Sequence, residues 1–206
     1  HNASAYSGGV IAVFIAFKIV INNMNVTQSY SESNGAAFLL EQISICLFIE
    51  IRVTNSTAKQ NGIFSFETTD ESKQFILESI FCRYNWAVAG SCVYFSAASN
   101  IIVSSSEIEN NSAALDLLQI QGMNLIAFDL KFIDNTPKKC LINIISTKNS
   151  NFVGVVMKGS KILKHDIFFF GFIIFSGNIF INKLAFDFLN TYTRSSALSA
   201  RDSNIT

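Results

Sequence analysis

The chain has one proline in 206 residues, Pro137, and no surplus of either charge: 15 Lys and Arg balance 15 Asp and Glu. Without a basic surplus it does not read as a nucleic-acid binder, which needs excess Lys and Arg to displace counterions. The same balance removes the self-repulsion that keeps copies of a protein apart. Scarcity of proline suits a backbone whose N–H groups are committed to ladders, since proline has none to donate. Long uninterrupted apolar runs are missing too. Residues 8–21 carry Lys18, and residues 167–181 carry Ser176, Gly177 and Asn178. Both runs fall short of the ~18–20 residues of a spanning helix, and their β-branched and aromatic content favours strands, so no membrane partner is expected. No Cys-x-x-Cys pair occurs, which excludes zinc-ribbon and thioredoxin-like readings. No GxSxG, Walker or HExxH motif appears either.

What is present is apolar and aromatic. Apolar residues make up 50% of the chain, charged residues 15%, and 20 positions are Phe. That composition excludes a disordered chain, and the length suits one domain. Residue 1 is His, so the sequence reads as a processed chain or a fragment. N-x-S/T sequons at Asn2, Asn25, Asn55, Asn110 and Asn204 point to a secreted or surface protein able to carry glycans.

Self-similarity organises the sequence. Strand-like runs open after a small or turn-forming residue: GGVIAV, NGAAFLL, NGIFSF, GSCVYF, LDLLQI, CLINII and DIFFFGF. Anchored on Gly9, Gly35, Gly62, Gly90, Asp116, Cys140 and Asp166, the steps are 26, 27, 28, 26, 24 and 26 residues. A second column, Asn100, Asn124, Asn151 and Asn178, precedes apolar strands. A third, Asn23, Asn55, Asn85, Asn110, Asn135 and Asn190, ends the following strand, with Lys161 standing where one member is missing. Each repeat therefore holds two or three short strands. TDESKQFILES at 69–79 competes as a helix capped by Thr69. Such a repeat cannot bury its apolar side alone, and coiling it rung upon rung gives parallel strands and one continuous core. Asn and Gly at the corners suit positive φ, and stacked Asn amides can form a hydrogen-bonded ladder.

This pattern of Asn–strand–Asn–turn–Gly–strand resembles the right-handed parallel β-helix, the pectin-lyase-like fold, in the repeat-rich form found in surface proteins. The resemblance implies an all-β, single-stranded coil of about seven rungs over residues 1–190. Residues 191–206 would be a tail packing on the coil or on a neighbouring subunit.

Polysaccharide-cleaving members of that fold imply clustered carboxylates with a nearby Arg or Lys. Here Asp116, Asp129, Asp134, Asp166 and Asp187 lie on different repeat phases, and the cluster KILKHD at 161–166 reads as a solvated turn. No catalytic residue, metal ligand or cofactor is expected. Cys82 and Cys92, ten apart, flank one turn and are disulfide candidates. Cys46 and Cys140 each lie nearly two rungs from Cys92, beyond the ~7 Å Cα limit, and read as buried thiols. Trp86 reads as filling the core's edge.

Apolarity on both sides of a wall is the feature that bears on function. Alternate residues of a strand face opposite ways, yet both sets are apolar in 10–17 and in 167–175. Phe14, Phe17, Phe168, Phe170 and Phe172 are the candidate assembly surface. The reading is a non-enzymatic, extracellular structural subunit that assembles with copies of itself into a filament or layer. A glycan-binding adhesin is the first rival and a polysaccharide lyase or hydrolase the second.

Overall fold

The computed structural model describes residues 3–67, 74–145, 148–162, 171–187, 190–191 and 196–205. It is an all-β coil in which successive turns stack in parallel, a right-handed β-helix with a period near 26 residues. Strands pair with strands one turn away, as in Ala16–Thr27 on Ile43–Thr54 and Asn149–Lys158 on Gly171–Asp187. The coil makes about six turns rather than seven. Residues 74–83 form a strand, so the helix competitor fails over that stretch, while 68–73 lie outside the described residues. Among the described residues no helix is long and apolar enough to cross a membrane.

Three walls follow one another in each turn. The first wall holds short strands such as Phe38–Glu41 and Phe64–Glu67. The long wall holds Ile43–Thr54, Gln74–Arg83 and their equivalents. The short wall is a six-stranded sheet from Ala3–Ala5 to Thr136–Pro137. Pro137 lies in the last strand of that sheet, beside which Lys161–Ile162 continues the stack.

Alternation fills the inside. Phe38 stacks on Phe64 at 5.0 Å and Phe66 on Phe95 at 4.6 Å, with Phe48 and Phe75 tilted against them. All six rings are buried, and offset or tilted ring pairs add to the hydrophobic gain.

Corners are made by single residues in the left-handed region. Gly8, Gly35, Gly62 and Gly90 form one such column, with φ between 57° and 66°. The column thus begins at Gly8 rather than Gly9. A side chain at Gly35 would put its Cβ 2.3 Å from Phe38 O, so only glycine fits. The long wall bends at a second column, which includes Asn23, Glu50, Ser79, Ser105 and Asp129. It ends at a third, which includes Gln28, Asn55, Tyr84, Asn110 and Asp134.

The tail does not leave the coil. Ser196–Ile205 pairs in parallel with Gly171–Asp187, adding a strand to the stack beyond residue 190.

Candidate functional site

The Asn columns are real but differently populated from the sequence expectation. Asn55 and Asn110 sit at the left-handed corner that ends the long wall, Asn23 sits instead at the separate corner where that wall bends, and Asn85 and Asn135 lie one residue past the end corner, with buried side chains. There they join a ladder with Ser29, Ser56, Asn111 and Ser160. Ser56 N–H donates to Asn85 Oδ1 (2.9 Å), Asn85 N–H to Asn111 Oδ1 (2.8 Å) and Asn111 N–H to Asn135 Oδ1 (2.9 Å). Serines close both ends, at Ser29 onto Ser56 and Asn135 onto Ser160. The sequence merges corner and ladder into one column because either neighbour can be Asn: the corner at Asn55, the ladder at Asn85 and Asn135, and both at Asn110–Asn111. Asn190 pairs with Lys161, as the gap in the column implied, in a row beyond the ladder.

In the exposed column, Asn100, Asn124, Asn149 and Asn178 stack, so Asn149 takes the place expected of Asn151. Each Nδ2 donates to the Oδ1 of the preceding rung, from Asn124 to Asn100 at 2.9 Å, Asn149 to Asn124 at 3.3 Å and Asn178 to Asn149 at 3.4 Å. Asn151 lies two residues further on, between Ile126 and Phe180. Its Oδ1 is buried without a hydrogen-bond partner among the described residues.

Of the sequons, Asn25 is exposed on its strand and Asn55 is exposed at its corner. Asn110 is half-buried and donates from Nδ2 to Glu109 Oε1. Corner stacking and glycosylation do not compete for Asn55 and Asn110, because the stacked side chains are those of the next residues, Ser56 and Asn111. Asn2, Phe168 and Phe170 lie outside the described residues, as do the side chains of Phe172, Asn190 and Asn204.

Cys82 and Cys92 form a disulfide, and Cys46 and Cys140 are buried thiols. Burial pushes both thiols well above the usual range. Trp86 faces outward on the short wall, 37% exposed, rather than filling the core's edge.

Asp116 is a buried carboxylate at the corner after Gly90. It accepts from Gly90 N–H at 2.8 Å and from Asn143 Nδ2 at 3.0 Å. Burial nevertheless outweighs these bonds and raises its pKa to about 6. Asp129 and Asp134 occupy separate corners, and Asp187 pairs with Lys158 at 3.9 Å. No three His, Cys, Asp or Glu side chains converge among the described residues.

Apolar exposure concentrates in two places. The first turn supplies the edge strands of both large sheets. Around it Phe14, Ile15 and Phe17 are 55%, 79% and 75% exposed, and Ile11, Val13, Ile19 and Ile21 only partly cover the core. The second place is the outer side of the long wall before its bend. There the middle row runs Val20, Leu47, Ile76, Ile102, Ile126, Asn151 and Phe180, one residue per level. A shallow groove of about 500 Å³ lies between its Ile126–Phe180 end and the Asn ladder.

Past the bend the same wall changes character. Arg83 pairs with Glu107 (3.5 Å) and Glu109, and the Arg52 guanidinium lies 5.0 Å over the Phe81 ring. Charge is thus gathered on one half of the wall and nearly absent from the other.

No family model matches this chain, and neither a curated protein nor a solved structure matches it.

Proposed function

We propose that the chain is a non-enzymatic structural subunit, secreted or displayed at a surface, that assembles with copies of itself into a filament or layer. The observation that carries this reading is exposed apolar surface, at Phe14, Ile15 and Phe17 on the first turn and at Val20, Ile126 and Phe180 along the long wall, which a second copy can cover. Zero net charge removes the long-range repulsion that would oppose such contact. A disulfide and exposed sequons at Asn25 and Asn55 suit an oxidising compartment.

Sedimentation and electron microscopy of purified protein test it. Fibres or sheets whose mass rises with concentration are expected. Phe14→Asp with Phe17→Asp should shorten or abolish them while the disulfide and the β-sheet circular dichroism persist. A monomer at high concentration in the unsubstituted protein overturns the reading.

A further inference from the structure

The outer face of the long wall before its bend carries three outward rows over seven levels, set two residues apart. Of these 21 positions only Lys18 and Glu78 are charged. The middle row is apolar except for Asn151. Parallel sheets are ordinarily covered on both faces, yet this one leaves Val20, Ile126 and Phe180 51%, 43% and 48% exposed.

We propose that this face is a lateral interface with a second copy of the chain, the two coils lying side by side and parallel about a dyad along the coil axis. The inference rests on the reading of the chain as a self-assembling subunit and names the partner's orientation.

Three observations favour that partner and that dyad. The first is self-complementarity. A dyad along the coil sets each middle-row residue against itself and each first-row residue i against residue i+4 of the mate on the same level. Polar then meets polar at Lys18 with Asn22, Gln74 with Glu78, and Asn178 with Asn182; apolar meets apolar at Ile45 with Ile49. Asn100 with Ser104 matches as well, so five of seven levels agree. An antiparallel dyad would instead set Glu78 against Phe128.

The second observation is Asn151, whose buried Oδ1 lacks a donor among the described residues. On the parallel dyad it meets the mate's Asn151. Turning the side chain outward lets each Oδ1 accept from the other's Nδ2, across the ~10 Å that separates packed sheets. An antiparallel pair would set it against Leu47.

The third is size. Seven levels at ~4.8 Å by three rows make a face of roughly 29 by 20 Å, so a pair buries roughly 1,100 Å² in total, at the threshold of a specific interface. A parallel pair also leaves both first turns on the same side, so end-to-end growth stays open to both coils.

Analytical ultracentrifugation of the Phe14→Asp/Phe17→Asp protein, which should not elongate, isolates the lateral contact. A discrete dimer is expected. Ile102→Lys sets two like charges on the dyad and Asn151→Asp two carboxylates; each should weaken the dimer by at least about 30-fold, the loss of a hot-spot contact. Circular dichroism and the retained disulfide control for folding. Variants with one added cysteine, Leu47→Cys and Ile126→Cys, fix the orientation, since the native cysteines are buried or disulfide-bonded. With a short bis-maleimide, each should cross-link to itself in the parallel pair, whereas an antiparallel pair would leave each alone uncross-linked. A monomer under these conditions, or a dimer indifferent to Ile102→Lys and Asn151→Asp, overturns the proposal. So does protection of this face by an oligosaccharide, read as slowed maleimide labelling of Ile126→Cys in a monomer. The two readings fail separately: fibres one coil wide in the unsubstituted protein sink the lateral pair alone, and dimers that never elongate sink the filament alone.

Discussion

Asp116 shows how a single side chain sets a pH dependence in this molecule. Its carboxyl ordinarily titrates near 3.8 and is raised to about 6 by burial, against the opposing bonds from Gly90 and Asn143. Between those values the unfolded chain has released the proton and the folded chain still holds it. The stabilisation is therefore complete below pH 4 and is lost as pH rises through 6, by about 3 kcal/mol for a shift of this size. Asp116→Asn keeps an acceptor for Gly90 and removes the titration. The stability difference between the two proteins, from urea midpoints at pH 4, 5, 6 and 7, should move in favour of the Asn variant as pH rises and level off above about 7. A constant difference would mean that Asp116 does not titrate in this window. Glu32 moves the opposite way, its pKa lowered by hydrogen bonds from Lys59 and Tyr30, which is why the comparison is made between variants.

The buried Ser/Asn ladder does for the turns what strand pairing does for the walls. Each ladder side chain accepts from the backbone of the preceding rung, and each Asn also donates back into the coil, as Asn111 Nδ2 does to Cys82 O at 2.8 Å. Ser56, at the same place, accepts from Ser29 N–H at 3.1 Å and donates its Oγ–H only within its own rung, to Thr54 O at 3.1 Å. Asn111→Ala strands a buried N–H at Asn85 and a buried carbonyl at Cys82, which costs about 2–4 kcal/mol for two unmet groups. Asn111→Ser should recover part of that, since its hydroxyl can still accept from Asn85. Urea denaturation of the three proteins should rank them in that order. Equal stability of Asn111→Ala and the unsubstituted chain would show the ladder to be ornamental. The exposed Asn ladder from Asn100 to Asn178 stands in water, where the same bonds compete with solvent and contribute less.

The molecule as a whole is a neutral rod whose long wall carries its charge past the bend and little before it. That distribution predicts how association responds to salt. With zero net charge and only Lys18 and Glu78 on the lateral face, the contacts that hold copies together are apolar. Raising sodium chloride from about 50 to 500 mM, which shortens the screening length from roughly 14 to 4 Å, should leave the association constant within about threefold. Sulfate, which strengthens apolar burial, should raise it. A steep loss of association with sodium chloride would place the interface on the charged half-wall, around Arg52, Arg83, Glu107 and Glu109, and not on the face centred on Ile102.

The coil was legible in the chain because its cause is local and repeated. Small residues recurring every 24 to 28 positions, apolar alternation between them, and Asn at the turns leave a β-helix as the packing that buries every rung. Cysteine spacing likewise offered Cys82 and Cys92 as disulfide candidates and Cys46 and Cys140 as buried thiols, the arrangement the structure has. What could not be read was the phase of each residue about the coil. One position of slip exchanges inside for outside, and that slip separates Asn55 at a solvent-facing corner from Ser56 in the buried ladder. Two positions of slip separate Asn149 in its column from Asn151 beside it. The apolar stripe from Val20 to Phe180 was hidden for the same reason. Its members stand 24 to 29 residues apart and become neighbours only when the turns stack, so a surface made of one residue per turn is a product of the register between rungs and not of any local stretch of sequence.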